Sequence, residues 1–307
     1  MWFKNLKIFR LSPEFNFTAA DLETKLERQL FQPGNRSDMQ NMGWVSPCNN
    51  GALVHAINGQ YLLALRVEKK LLPASVINQT TKEKCLEIEE QQGYRPGRKQ
   101  LKEIKEQVTE ELLPKAFAVQ KDTRVWLDTK NHWLIIDAAS SAKSDEVIGM
   151  LAKVLDPLPV QSLFTELSPS AAMTEWLLQD EAPANFSIDQ DTDLVSKAES
   201  SATVRYIRQT PESGDVAKHI QNGKVCTKLA MTWADRISFV LNDSLDIKRI
   251  KPLDILKEGG DFSSMDEAER FDADMTLMCA ELAKMLDDLV LVLGGEKLRQ
   301  GNEQKAT

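Results

Sequence analysis

Residues 52–67, ALVHAINGQYLLALRV, decide the fold. Two β-rich runs, Ala52–Ile57 and Gln60–Val67, are joined by Asn58-Gly59, a dipeptide that readily takes the positive φ angles of a tight hairpin. A second hairpin is predicted at Arg124–Asp128 and His132–Ala138, turning at Lys130-Asn131. Upstream, over residues 2–11, Leu6, Ile8 and Arg10 alternate with Lys7, Phe9 and Leu11, the pattern of a half-buried strand. Thr18-Ala-Ala-Asp21 reads as a helix start, with Leu22, Leu26 and Leu30 stacked at spacing four until Pro33-Gly34 ends the helix. Val147, Ile148, Leu151, Val154 and Leu155 mark another amphipathic helix. Antiparallel hairpins with helices on one face define an α+β layer and not a doubly wound parallel sheet.

The segment from Pro73 to Pro114 interrupts the hairpins with polar, helical sequence and is expected to project as an arm. Leu101, Ile104 and Val108 give it a narrow apolar seam, with Arg98, Lys102 and Lys105 at the same spacing alongside and Arg95 and Lys99 nearby. Two readings stay open: a basic edge that faces phosphates, or a surface helix laced with ion pairs such as Lys102 with Glu106. Pro114 stops the helix and leaves Phe117 at the junction of arm and sheet, either as a point of association or as a core residue.

Pro157, Pro159 and Pro169 punctuate the exit to a second region. There Val225–Trp233, Arg236–Leu241 and Leu245–Ile250 read as a three-stranded meander, preceded by a helix near Asp215–Gln221. A long helix follows over Asp266–Leu293, stopped by Gly294-Gly295, with Glu296–Thr307 as a frayed tail. The expected division is a central α+β domain in two parts (1–73 and 117–165), a helical arm (74–116) and a C-terminal base domain (166–307).

With 42% hydrophobic positions among 307 residues, the chain has enough apolar sequence for two ordinary cores. No apolar run approaches the roughly 20 residues of a membrane span. Met1–Leu6 lacks the basic-then-apolar layout of a secretory leader and is expected to open a strand. Cys48, Cys85, Cys226 and Cys279 lie far apart without a CxxC pair, which fits a reducing cytoplasm and argues against a disulfide scaffold or a structural zinc.

Signatures of catalysis are missing. Gly223-Lys224 lacks the rest of a phosphate-cradling loop, no Gly-x-Ser-x-Gly occurs, and His55, His132 and His219 stand apart without metal-ligand spacing. Asp272 and Asp274 raise a nuclease reading, but at spacing two on a helix they point about 200° apart and suit a capped, acidic helix start better. No cofactor, metal or catalytic residue is expected.

The net charge of −8 is local. From Pro252 to Leu291, eleven acids face three bases, and this segment alone carries −8. From Ser201 to Lys251 the balance reverses, with nine bases against five acids. A polyanion is held by a local basic surface whatever the net charge, so this stripe is a candidate DNA contact; the alternative is a scatter of solvated side chains. In the meander, Lys228 is expected to share a solvated face with Cys226, Ala230 and Thr232, and Lys248, Arg249 and Lys251 close the same meander. The basic runs lack interleaved aromatics, which favours contact with the DNA backbone over stacking.

Blocks spread along the chain resemble the recombination-associated RdgC family of proteobacteria. They are Trp2-Phe3-Lys4-Asn5-Leu6 with Arg10-Leu11, Met42-Gly43-Trp44-Val45, Leu112–Phe117 (LLPKAF), Thr174-Glu175-Trp176, residues 223–230 (GKVCTKLA) running into Trp233 and 236–241 (RISFVL), 269–274 (ERFDAD), and 293–296 (LGGE). The resemblance implies a homodimer closed into a ring whose basic hole admits duplex DNA. It also implies binding of double- and single-stranded DNA with little sequence preference, restraint of the RecA recombinase, and a nucleoid-associated place in the cytoplasm. The arm would close the ring at its tip, with Phe117 at that closure. Arg98, Lys99, Lys102, Arg205, Arg208, Lys224 and Lys228 carry over as DNA contacts, and Lys248, Arg249 and Lys251 join them from the reading of the meander. Cys226, Thr232 and Pro252 depart from the family pattern, where more apolar or acidic residues are expected. The competing expectation is a protein-interaction module whose acidic helix 266–293 docks a basic partner.

Overall fold

The computed structural model describes residues 2–48, 50–197, 202–209, 213–257 and 266–297. Strand β1 (Lys7–Leu11) is followed by helix α1 (Ala19–Leu26). The Thr18 hydroxyl accepts from the Asp21 N–H at 3.2 Å, and the Asp21 carboxylate accepts from the Thr18 N–H at 3.1 Å, a reciprocal capping box. The helix stops well short of Pro33-Gly34: a 3₁₀ turn at Glu27–Gln29 ends it, and Leu30 is half exposed. The reason is a competing pairing, since the Phe31 N–H donates to the Trp44 carbonyl at 2.9 Å. Gly43 permits that approach, because a Cβ there would lie 2.3 Å from the Phe31 Cα.

Strands β2 (Gln40–Val45), β3 (His55–Ile57) and β4 (Gln60–Lys70) come next. The hairpin turns at Asn58 (φ 51°) and Gly59 (φ 82°) as expected, but β3 is short. The amides of Leu53 and Val54 donate instead to the Glu23 carboxylate, both at 2.7 Å, so a side chain takes the bonds a ladder would have used. On that side β2 pairs with Ala64 to Lys69 of β4, beyond the three residues that β3 takes. The arm is a helical hairpin, α2 (Ala74–Gln92) and α3 (Arg98–Leu112), turning at left-handed Gly93. Strands β5 (Ala118–Asp128) and β6 (Trp133–Ile136), helix α4 (Ser141–Val154) and strand β7 (Val160–Ser162) complete a seven-stranded antiparallel sheet of order β2-β4-β5-β6-β1-β7, with β3 beside β4.

The second sheet has five strands. After α5 (Pro169–Gln179) come β8 (Phe186–Ser196), β9 (Thr203–Tyr206), α6 (Ser213–Gln221), β10 (Lys224–Trp233), β11 (Ile237–Asn242) and β12 (Ile247–Pro252), in the order β12-β11-β10-β8-β9. The expected meander is present, extended by β8 and β9. Helices α7 (Asp254–Lys257) and α8 (Glu267–Val292) end the fold, with Asp266 and Glu269 forming a second capping box. The acidic positions Glu212, Glu258 and Asp261, and the tail from 298 onward, lie outside the described residues.

Helices cover both faces of the first sheet, not one. Leu22, Leu26, Val147 and Leu151 pack with Leu63, Leu65, Val125 and Leu127 on one side. On the other, Leu62, Trp126, Trp133 and Ile135 join Met275, Met278, Leu282 and Leu286 of α8, together with Leu229, Met231 and Phe239 of the second sheet. Strand β1 therefore buries Ile8 on one face and Leu11 on the other. The segment preceding β1 reaches the second sheet directly. Leu6 and Ile247 exchange backbone hydrogen bonds of 2.7 and 3.1 Å, and the Ile250 N–H donates to the Lys4 carbonyl at 3.0 Å, covering the β12 edge. Lys7 and Asp246 add a nearly buried ion pair of 2.6 Å across the same junction. Among the described residues no helix is long and apolar enough to cross a membrane.

Candidate nucleic-acid interface

Side chains directly opposite on antiparallel strands share a sheet face. The register places Asp193 beside both Lys228 and Arg205, Ala230 beside Val240, and Thr232 beside Ser238. Across β11, Val240 meets Lys248 and Ser238 meets Lys251. Arg205, Lys228, Lys248 and Lys251 thus lie on one face, opposite the face that packs on α8. Arg249 sits in the register shift of β12 with φ 56° and reaches back over β11 and β10 toward Asp191, Nη1 to Oδ2 3.3 Å.

One sequence expectation fails here, the placing of Cys226 on the face of Lys228. Thr227 is an extra residue between Cys226 and Lys228 in the β8 ladder. The bulge flips the alternation, so Cys226 is fully buried in the core while Lys228 faces out. By the same alternation Lys224, two residues before Cys226, falls on the opposite side from Lys228. The acids of β8 stand on the same face as these cations. Asp193 accepts from Arg205 Nε (2.8 Å) and Nη2 (3.0 Å) and from Lys228 Nζ (2.9 Å). Asp191 accepts from the Arg208 backbone N–H at 2.9 Å, and Asp189 from the Thr232 hydroxyl at 2.8 Å. Burial works to raise the Asp193 carboxyl, but Arg205 and Lys228 outweigh it and hold the group below its ordinary range. The face is a mosaic in which cations still outnumber carboxylates. Its period-two acids, Asp189, Asp191 and Asp193, were the available signal for a strand with one wet face; acids are depleted in strands, and that hid it.

The arm is held by Ile77, Ile104 and Val108, all buried, whereas Leu101 is 46% exposed and not part of the sealed seam. Arg98, Lys99 and Lys102 are exposed. Both readings of this helix find support: Lys102 lies 3.7 Å from Glu106, and Arg95 and Lys84 pair with Glu89 and Glu111. Arg98 and Lys99 make no ion pair among the described residues. Phe117 is 83% exposed, so it is not a core residue. It stands at the arm's root, its carbonyl accepting from the Leu71 N–H at 2.7 Å. Helix α3, with its 15 residues, separates it from the arm's tip by about 22 Å, so Phe117 and the tip are different places.

Three acids of α8 have partners within the chain. Glu281 binds Arg236 through two bonds of 2.7 and 2.9 Å, which also removes Arg236 from the open face. Asp288 accepts from Trp233 Nε1 at 2.7 Å and from Asn185 Nδ2 at 3.1 Å. Asp272 lies 2.8 Å from His55. Among the described residues no group of three His, Cys, Asp or Glu is placed to hold a metal ion.

A family model described as "RdgC: Putative exonuclease, RdgC" matches residues 1–296. The chain is 62% identical over 297 residues to the recombination-associated protein RdgC of Bordetella parapertussis, covering 97% of this chain and 99% of the relative. It is 59% identical over 297 residues to the protein of the same name from Cupriavidus pinatubonensis, with the same coverage. To that of Herminiimonas arsenicoxydans it is 57% identical over 300 residues, covering 98% and 100%.

Proposed function

The chain belongs to the RdgC family, and from that membership we propose that it is a DNA-binding protein without sequence preference. In this reading two copies close into a ring around duplex DNA, single strands are bound as well, and occupancy of DNA restrains RecA-mediated recombination. The protein acts without catalysis, in the cytoplasm, at the nucleoid. The observation that carries the reading is the shared face of Arg205, Lys228, Lys248 and Lys251, a set of cations suited to phosphates. Exposed Arg98, Lys99 and Lys102 on the arm supply a second basic surface, and exposed Phe117 at its root is the apolar group offered to a second copy. Lys224, turned to the other side of its strand, belongs to the contact only if DNA wraps past the sheet edge.

Docking of a basic protein on α8 is the weaker reading, because Glu281, Asp288 and Asp272 already have partners within the chain. The nuclease reading finds Asp272 engaged with His55. A gel-shift series against salt tests the proposal. Binding should fall steeply as salt rises, each neutralised phosphate adding about −0.9 to the log–log slope on duplex DNA. Arg205→Glu combined with Lys228→Glu should abolish binding to bare DNA; retained binding, or a flat salt response, overturns it. Retention on closed circles but not on linear DNA after a salt wash tests encirclement separately.

A further inference from the structure

The loop between β2 and β3 brings a thiol, an imidazole and a carboxylate into line against the start of α8. Cys48 Sγ lies 3.4 Å from His55 Nδ1, and His55 Nε2 lies 2.8 Å from Asp272 Oδ1. A carboxylate only accepts, so Nε2 carries the hydrogen and Nδ1 presents its lone pair to the thiol. Phe271 meets the imidazole edge-on, ring centroids 5.2 Å apart, and fixes its plane. The His55 side chain is 15% exposed and that of Asp272 52% exposed, so the relay is screened at its centre and wet at its end. Cys48 is a free thiol, half-buried. Burial pushes this thiol up, opposed in part by hydrogen bonds from the Asn50 backbone and Ser46, with the Asp272 charge the smallest contribution to the rise. Its sulfur therefore rests protonated and needs a base at the moment of attack.

We propose that Cys48 is a base-assisted nucleophilic thiol that exchanges with small disulfides, with His55 as the base and Asp272 positioning His55. The Cys48 sulfur attacks one sulfur of the disulfide as its proton passes to His55 Nδ1. The new S–S bond forms while the old one breaks, and the departing thiolate takes the proton from His55 and leaves as a thiol. Cys48 is oxidised to a mixed disulfide, and the small disulfide is reduced to one free and one protein-bound half. Disulfides are the substrates the geometry favours, because in-line attack on sulfur needs only a path to Sγ. The cavity beside α8, lined by Asn58, Asp128, Cys279 and Asp287, does not include Cys48. The neighbouring Asp272 carboxylate favours a cationic disulfide over an anionic one.

The chain carries its own control. Cys85 is also half-buried, but it packs in the arm against apolar neighbours, and Cys226 and Cys279 are buried. The full-length reduced protein, freed of reductant, is treated with cystamine and each cysteine is followed by mass spectrometry. Cys48 should form its mixed disulfide about a hundredfold faster than Cys85, the low end of general-base assistance. His55→Ala should erase that advantage, and imidazole added to the buffer should restore part of it. Asp272→Asn should slow the reaction and Asp272→Glu recover it, as a positioning role requires. Should His55→Ala change the thermal melt, His55→Gln replaces it, removing the base while keeping a polar side chain of similar reach. Equal rates at Cys48 and Cys85, or an unchanged Cys48 rate without His55, overturn the proposal.

Discussion

Arg236 and Glu281 form a two-bond ion pair between the turn into β11 and the middle of α8, with the carboxylate 7% exposed and the guanidinium 37% exposed. Charge-assisted, paired bonds of this kind orient as well as attract. They fix the rotation of α8 about its axis, and with it the direction in which Met275, Met278, Leu282 and Leu286 enter the core between the two sheets. The acidic character of this helix, conspicuous in the sequence, is here a packing device.

Removing one partner leaves the other charge stranded. Glu281→Ala should lower unfolding stability by about 3 kcal/mol, the lower end for a broken buried pair because Arg236 keeps some contact with water. Arg236→Ala should cost at least as much, since it abandons the more buried member. Urea denaturation midpoints, with unchanged slope, measure both.

Asp193 restrains two cations at once, so its removal should move stability and DNA affinity in opposite directions. Asp193→Asn frees Arg205 and Lys228 for phosphates, and binding at fixed salt should tighten by about three- to tenfold with a steeper salt slope. The carboxyl is held below its ordinary value in the folded state, and in the unfolded chain it ionises near 3.9. Its stabilising contribution is therefore present above about pH 4 and is lost as pH falls through the lower folded value. The variant should lack that acid-sensitive part, as denaturation between pH 5 and 2.5 will show. Unchanged DNA affinity would remove Asp193 from any role at the interface.

Cys226 supplies a signal at the other end of the pH scale. Burial pushes its thiol up to about 12, whereas an unfolded thiol ionises near 8.5. Its contribution is complete below about pH 8.5 and is lost as pH rises toward the folded value, because only the unfolded chain gains from ionisation. The protein should weaken progressively in alkali, and Cys226→Ala should flatten that decline while lowering stability at pH 7. Cys279 is raised by the same cause, so the flattening should be partial until both are replaced.

What the sequence disclosed follows from the range of the forces involved. The Asn58-Gly59 turn, the Thr18 cap, the long period of α8 and the helical arm are written in near neighbours and were legible. Strands β8 and β9 were not, because Asp191 and Asp193 owe their place in a ladder to cations on other strands and Asp189 to the Thr232 hydroxyl. The β10 bulge at Thr227 was equally hidden, being fixed by the register of β8. For the candidate interface, the cations themselves were readable, since charge is a property of composition. Which of them share a face, and which carboxylates hold them, is set by pairings between residues as distant as Asp191 and Arg249.

The bond between Leu6 and Ile247 bears on the order in which the molecule is assembled. Residues leave the ribosome in sequence order, so Lys4 to Leu6 emerge long before their partners in β12. Until then this stretch has no strand to lie against, and the side of the first sheet that awaits α8 stands open to water. Completion of the fold is thereby deferred until β12 and α8 have been made, and an elongating chain passes through a long interval in which the face bearing Leu62, Trp126, Trp133 and Ile135 is uncovered.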